Sequence, residues 1–166
     1  RFGVPFSEYD TVFFGIGAER TEIRGTNAMP NNLYLYRINF GAVSHTFPLT
    51  IGWTRDERDS ALVPNDGSYK RVNIDWGALG DTRYVRTNLQ YQHYWPITRQ
   101  FTFAINGEIG YGKGLGGKPY PVFKNFYGGG LGTVRVFEQG SLGIVDVTNN
   151  YIGGNRKLNV NAELYV

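Results

Sequence analysis

Apolar and polar residues alternate with period two along much of the chain. From Phe101 to Tyr111 the odd positions are Phe101, Phe103, Ile105, Gly107, Ile109 and Tyr111; the even ones are Thr102, Ala104, Asn106, Glu108 and Gly110. Such alternation places one row of side chains on each face of a β-strand. Val85, Thr87, Leu89 and Tyr91 oppose Arg86, Asn88, Gln90 and Gln92, and Phe47, Leu49, Ile51 and Trp53 oppose Pro48, Thr50, Gly52 and Thr54. Val72, Ile74 and Trp76 stand against Arg71, Asn73 and Asp75, and the chain closes on Leu158, Val160, Ala162 and Leu164 against Asn159, Asn161, Glu163 and Tyr165. Near the start, Val12, Phe14, Ile16 and Ala18 form a further apolar row. About six strands follow, several of roughly 9–13 residues, the length that crosses a bilayer at a tilt.

The connections alternate in size. "SEYD" (Ser7 to Asp10) and "PITR" (Pro96 to Arg99) are short, and Arg58 to Ser68 is a longer turn ending in the hairpin signal Asp66-Gly67. On the opposite side lie "GALGDT" and two long segments, about 25–45 and 113–155. Short turns at one end and long loops at the other are the habit of outer-membrane barrels. Within the first long loop, "NNLYLYRINF" suits a short helix or a strand, and periodicity leaves both open.

What the polar rows contain separates two all-β readings. The outer face of a soluble β-sandwich carries lysine and glutamate. Here the polar rows are Asn, Gln, Thr, Gly and single charges of both signs, as in a wet lumen. Trp53, Trp76 and Trp95 fall at or near strand ends on the apolar rows, where membrane-interface aromatics belong. A soluble β-sandwich binding module stays as the alternative, and it requires water on the aromatic faces.

Composition sharpens this only in part. Twenty-three glycines in 166 residues, with 16% aromatics, suit turn-rich β architecture. No run of ~18 apolar residues exists, which excludes a transmembrane helix. The mean hydropathy of −0.34 is compatible with a membrane barrel, whose strands average apolar and polar rows. The net charge of +3 is dispersed, and no basic stripe marks a nucleic-acid partner. The absence of cysteine removes disulfides and thiolate metal sites. The first residues carry no signal-peptide pattern, so the expectation is a cytosolic chain, an already processed one, or a piece of something longer.

Candidate chemistry is thin. Gly112 to Lys118 fits G-x-x-x-x-G-K, but Pro119 follows where a phosphate loop needs Ser or Thr, and no helix is expected to follow. His45, expected in a loop, and His93, expected near a strand end, lack companion ligands, so no metal site is expected. Glu19, Asp75, Glu108 and Glu163 fall on polar faces of separate strands and read as lumen-facing charge rather than a glycosidase pair. Ser141 has no nucleophile elbow around it. No catalytic residue, cofactor or enzymatic activity is expected.

The segment Gly110 to Gly143, with "NFYGGGLGTVRVF" from Asn125 to Phe137, resembles the strand and long loop of the BamA-type family of outer-membrane protein assembly factors. That family carries a Val-Arg-Gly-Phe motif in this loop, preceded by "NFY" and glycines. Here the four residues are Val134, Arg135, Val136 and Phe137, so Val136 replaces the family glycine. "FPLTIGWTRDERDSALVPNDGSYKRVNIDW", "LQYQHYWPITRQFTFAINGEIGYGKGLGG" and "NRKLNVNAELYV" are similar to neighbouring family segments, so nearly the whole chain is covered.

The resemblance implies the middle portion of a sixteen-stranded, antiparallel transmembrane β-barrel, excised or re-engineered, without periplasmic POTRA domains or the strands of the lateral seam. It implies an extracellular loop with a short helix before Phe47. It also implies that the glycine-rich loop folds into the lumen, with Arg135 paired to Glu163, which alternation independently places on a polar face. An unpaired desolvated guanidinium is costly, and its rigid fork suits a carboxylate better than lysine does. Gly128, Gly129 and Gly130 would let the loop backbone pack closely against the wall. The implied function is assembly and insertion of β-barrel proteins in the bacterial outer membrane. The implied partners are outer-membrane lipids, unfolded β-barrel clients and, in the full-length protein, assembly-complex lipoproteins. A passive outer-membrane pore or an engineered small barrel is the alternative.

Overall fold

A computed structural model describes residues 1–25, 29–130, 134–145 and 149–166. Among these residues eight strands form one antiparallel sheet. They are β1 (Phe2–Pro5), β2 (Asp10–Ile16), β3 (Glu19–Glu22), β4 (Val43–Asp56), β5 (Gly67–Gly80), β6 (Tyr84–Pro96), β7 (Thr102–Gly114) and β8 (Arg156–Tyr165). The order is β1-β2-β4-β5-β6-β7-β8, with β3 also on β4. This is an up-and-down meander, and β4 to β7 are 13 or 14 residues long. The sheet is an antiparallel stretch of barrel wall, not a sandwich.

Cross-strand register carries each expected row unbroken from strand to strand. Val12, Trp53, Val72, Leu89, Ile109 and Leu158 lie side by side on one face. Asn73 pairs with Asn88 and Asn106 with Asn161 on the other. Among the described residues no second layer covers the apolar face: Ile51, Leu158 and Val160 are each at least 60% exposed. A sandwich would bury this face; a barrel wall turns it to lipid.

Three features differ from the sequence expectation. β1 adds a strand before "SEYD", and its hairpin turn is pinned by Ser7 Oγ, which donates to Asp10 Oδ2 at 2.8 Å. The row through Ala18 is broken: β2 ends at Ile16, and β3 resumes at Glu19 on the upper part of β4. β4 starts at Val43, so His45 lies in a strand, paired with Arg20, and not in a loop. "NNLYLYRINF", for which periodicity left helix and strand open and the resemblance implied a short helix, is a helix, α1 (Asn31–Phe40), closed by Gly41 at φ 92°, whose N–H donates to Arg37 O.

Turns 6–9, 57–66 and 97–101 share one end of the wall. The opposite end carries α1, the tight turn 81–83 and the long segment 115–155. The two long loops meet there. Tyr36 of α1 packs edge-on against Phe123 at 5.8 Å, and Asn32 Nδ2 donates to Ile152 O at 3.4 Å.

Candidate functional site: the loop on the inner wall

The inner wall of β7 is unusually smooth. Gly110 and Gly112 lie on its polar face, opposite Asn88 and Arg86 of β6. A Cβ at Gly110 would stand 2.7 Å from the Phe126 ring, and one at Gly112 only 2.4 Å from the Tyr120 ring. The two glycines are sockets for aromatic side chains of the long loop. Around them, the Arg86 guanidinium lies 4.4 Å over the Phe126 ring, and Tyr120 meets Tyr84 edge-on at 6.2 Å. Tyr84 in turn fills the space above Gly77 on its partner strand and is almost fully buried.

Polar contacts complete this base. Tyr120 Oη donates to Lys124 O at 2.7 Å, and burial pushes the Tyr120 phenol up to about 12. Lys124 Nζ reaches across to Glu19 Oε2 of β3 at 2.9 Å. The loop returns on itself: Phe126 N donates to Gly154 O at 2.7 Å, and Gly154 N donates to Phe126 O at 3.0 Å. Gly112 to Lys118 is the end of β7 followed by a turn in which Lys118 N donates to Leu115 O at 3.2 Å, and the next element is a single 3-10 turn, Val122–Lys124.

Arg135 lies further down the wall, beside β8. Arg135 Nη2 lies 2.9 Å from Glu163 Oε1, and Glu163 Oε2 accepts from Tyr165 Oη at 2.6 Å. The carboxylate is thus shared between two donors, Arg135 and Tyr165. The Arg135 side chain is 62% exposed and that of Glu163 25%. Gly110 and Ala104, the β7 neighbours of the two anchors, are six residues apart, or about 20 Å along the strand.

The other loop residues have definite places. Gly130 N donates to both Val134 O and Phe137 O, closing a small turn around Arg135. Val136 is 93% exposed and has no positive φ, the only described non-glycine with one being Asn149. The valine is therefore unstrained where the family has glycine. Gly129 and Gly130 do have positive φ, and a Cβ at Gly129 would meet Glu138 O at 2.4 Å. Their close approaches are to the loop's own residues 138–141, and a Cβ at Gly128 would meet only Leu142, at 3.5 Å. Residues 131–133, just before the motif, lie outside the described residues. A cleft of about 320 Å³ separates this tip from β8, with Gly128, Val134 and Leu142 on one side and Lys157 and Asn159 on the other.

The four acids of the polar rows each have a partner. Besides Glu19 and Glu163, Asp75 Oδ1 accepts from Thr50 Oγ1 at 2.9 Å, and Glu108 Oε2 lies 3.4 Å from Lys157 Nζ. The three tryptophans all sit on outward rows. Trp53 and Trp95 lie toward the short-turn end and Trp76 toward the loop end. Trp53 Nε1 donates to Asp10 Oδ1 at 3.1 Å.

Comparison with known proteins bears on the family and the fold. The Omp85 superfamily domain matches residues 1–166. The chain belongs to the Omp85 superfamily. It is 36% identical to the outer membrane protein assembly factor BamA of Neisseria meningitidis serogroup B, over 99% of this chain and 22% of that protein. It is 27% identical to BamA of Nitratidesulfovibrio vulgaris, over 98% of this chain and 21% of that one. A mouse sorting and assembly machinery component 50 homolog matches 60% of the chain at 28% identity. The crystal structure of Haemophilus ducreyi BamA lacking POTRA domains 1–3 superposes with a TM-score of 0.89, covering 98% of this chain and 35% of that one at 22% identity. The chain thus spans about a fifth of the length of the BamA relatives it matches. As an Omp85 chain of this kind, it is a protein of the bacterial outer membrane.

The socket glycines and the aromatics that fill them were missed by sequence reasoning. A signal was present. Gly110, Gly112 and Gly114 recur at every second position, a bare stripe on one face, and Tyr120, Phe123 and Phe126 follow within 12 residues of its end.

Proposed function

We propose that this chain forms part of the barrel of an assembly factor that folds and inserts other β-barrel proteins into the bacterial outer membrane. The observation that carries the reading is the long loop laid along the inner wall with Arg135 on Glu163, in a chain 36% identical to such a factor over nearly its whole length. The work requires no nucleotide, cofactor or bond-making chemistry. An assembly factor offers strand edges as templates to incoming strands and thins or disorders the bilayer around itself. Unfolded β-barrel clients and outer-membrane lipids are its partners, joined in the full-length protein by lipoproteins of the assembly complex. Arg135 is a positioning residue: through Glu163 it holds the loop tip against the wall. Trp53, Trp76 and Trp95 anchor the wall at the two membrane interfaces.

The test is assembly of an unfolded client barrel by the full-length protein in liposomes. Arg135→Glu and Glu163→Arg each lower the yield of folded client, and the double exchange recovers part of it. If the wild-type protein folds no more client than empty liposomes do, it is a passive pore and the reading fails. Normal assembly by both single variants removes the positioning role alone.

A further inference from the structure

The outward face has one gap. Among the described outward positions of β2 and β4 to β8, Gly107 is the single glycine, between Tyr91 of β6 and Val160 of β8. The fold does not require a glycine there. Its φ is not positive, and a Cβ would find nothing nearer than Asn159 O at 4.0 Å. With Leu89, Ile109 and Leu158 in the next row and Trp53 at the far side, it forms the floor of an apolar groove of about 320 Å³.

A cation stands at the groove's rim. Lys70 shares the row of Tyr91 and Gly107, and its Nζ lies 5.9 Å from the Tyr91 ring centre. Arg55, beside it on β4, is engaged by Glu57 at 2.8 Å and Asp10 at 3.8 Å. Lys70 has no carboxylate within 4.0 Å among the described residues. It lies three residues from the short-turn end of β5, about 10 Å along the strand. From there a lysine extends its ammonium to the headgroup region.

We propose that this groove is a phospholipid site in the leaflet on the short-turn side. One acyl chain lies over Gly107 between Tyr91 and Val160, and the phosphate pairs with Lys70. Charge decides the occupant. A cation with no carboxylate within 4.0 Å among the described residues, beside an apolar trough, matches an amphiphile with one anionic head and an acyl chain. A purely apolar partner surface would leave the ammonium desolvated and unpaired.

Trp53 lines the groove and serves as the reporter. The full-length protein carrying Trp76→Phe and Trp95→Phe, with any other tryptophans replaced, is reconstituted in phosphatidylcholine containing increasing fractions of phosphatidylglycerol brominated on its acyl chains. A site quenches Trp53 at a brominated fraction well below that of random mixing around the barrel. Lys70→Gln raises the half-quenching fraction roughly two- to fivefold, the scale of losing one partly exposed ion pair. Gly107→Leu fills the trough and abolishes the saturable phase, and retained heat-modifiable gel mobility shows that each variant is folded. A wild-type curve that follows random mixing overturns the proposal. So does an unchanged curve in Lys70→Gln, or a Trp53 shielded from every brominated lipid because protein occupies the groove.

Discussion

The base and the tip of the long loop touch the same inner wall by opposite means. At the base, Tyr120 and Phe126 occupy space that a single methyl on Gly112 or Gly110 would fill, under the Arg86 guanidinium and next to a nearly buried Tyr84. At the tip, a guanidinium that is 62% exposed meets a carboxylate directly at 2.9 Å, with a cleft of about 320 Å³ beside it. Shape-matched burial is worth several kcal/mol, whereas a solvated ion pair is worth about 0–1. The base therefore fixes where the loop lies, and the tip contact chooses its conformation without contributing much stability. A switchable contact is best built this way, because a small change in free energy suffices to release it.

The largest expected effect breaks the base. Phe126→Ala empties the Gly110 socket and costs about 3 kcal/mol, read as a shift in the urea midpoint of the protein folded into bilayers. Gly110→Val should act in the same direction, since its Cβ would stand 2.7 Å from the Phe126 ring. A loss below about 1 kcal/mol for both would remove the contrast between base and tip.

A second cut separates shape from charge within the base. Lys124 is mostly covered and pairs with Glu19 at 2.9 Å. A double-mutant cycle with Lys124→Met and Glu19→Gln should give a coupling of about 1 kcal/mol. Coupling as large as the Phe126 effect would make the base electrostatic.

At the tip, the cycle through Arg135→Ala and Glu163→Ala should couple by no more than about 1 kcal/mol in stability, even where client assembly falls. Coupling of several kcal/mol would mean that the tip, too, is a buried anchor.

The smallest effect lies away from the loop and serves as its control. In the turn after β4, Asp59 Oδ1 accepts from Asn65 N at 2.9 Å and Asp66 N at 3.2 Å. These backbone donors hold its carboxyl below the usual carboxylate range. With a lowered folded value, the stabilisation is fully present above the unfolded pKa of about 3.9 and is lost as pH falls through the folded value. Amide exchange at Asn65 and Asp66 should accelerate only below that range, and Asp59→Asn should abolish this pH dependence while leaving the loop untouched.

How much of this was legible in the sequence depended on the range of the forces involved. Period two is local, so the rows through Trp53, Leu89 and Ile109 and the inward parity of Glu163 could be read directly. The break after Ile16 could not, because β3 exists through its pairing with the upper end of β4. The helix at Asn31–Phe40 leaves Tyr34, Leu35, Ile38 and Phe40 largely exposed, so no clean apolar stripe announced it. The sockets were the hardest to read. Gly110 and Gly112 look like unremarkable small residues on a polar row until the loop returns Tyr120 and Phe126 to them. Arg135 was readable only through its resemblance to a family motif, since a single arginine among aliphatic residues specifies no partner.

The central claim is that base and tip are held independently. Hydrogen exchange on the full-length protein in bilayers, wild type against Arg135→Glu, tests it directly. In the variant, the amides of Gly130, Phe137 and Leu142 should lose protection, while those of Phe126 and Gly154, bonded to each other at the base, keep theirs. Equal loss of protection at base and tip would contradict the account, because the loop would then be one cooperative unit held by its arginine.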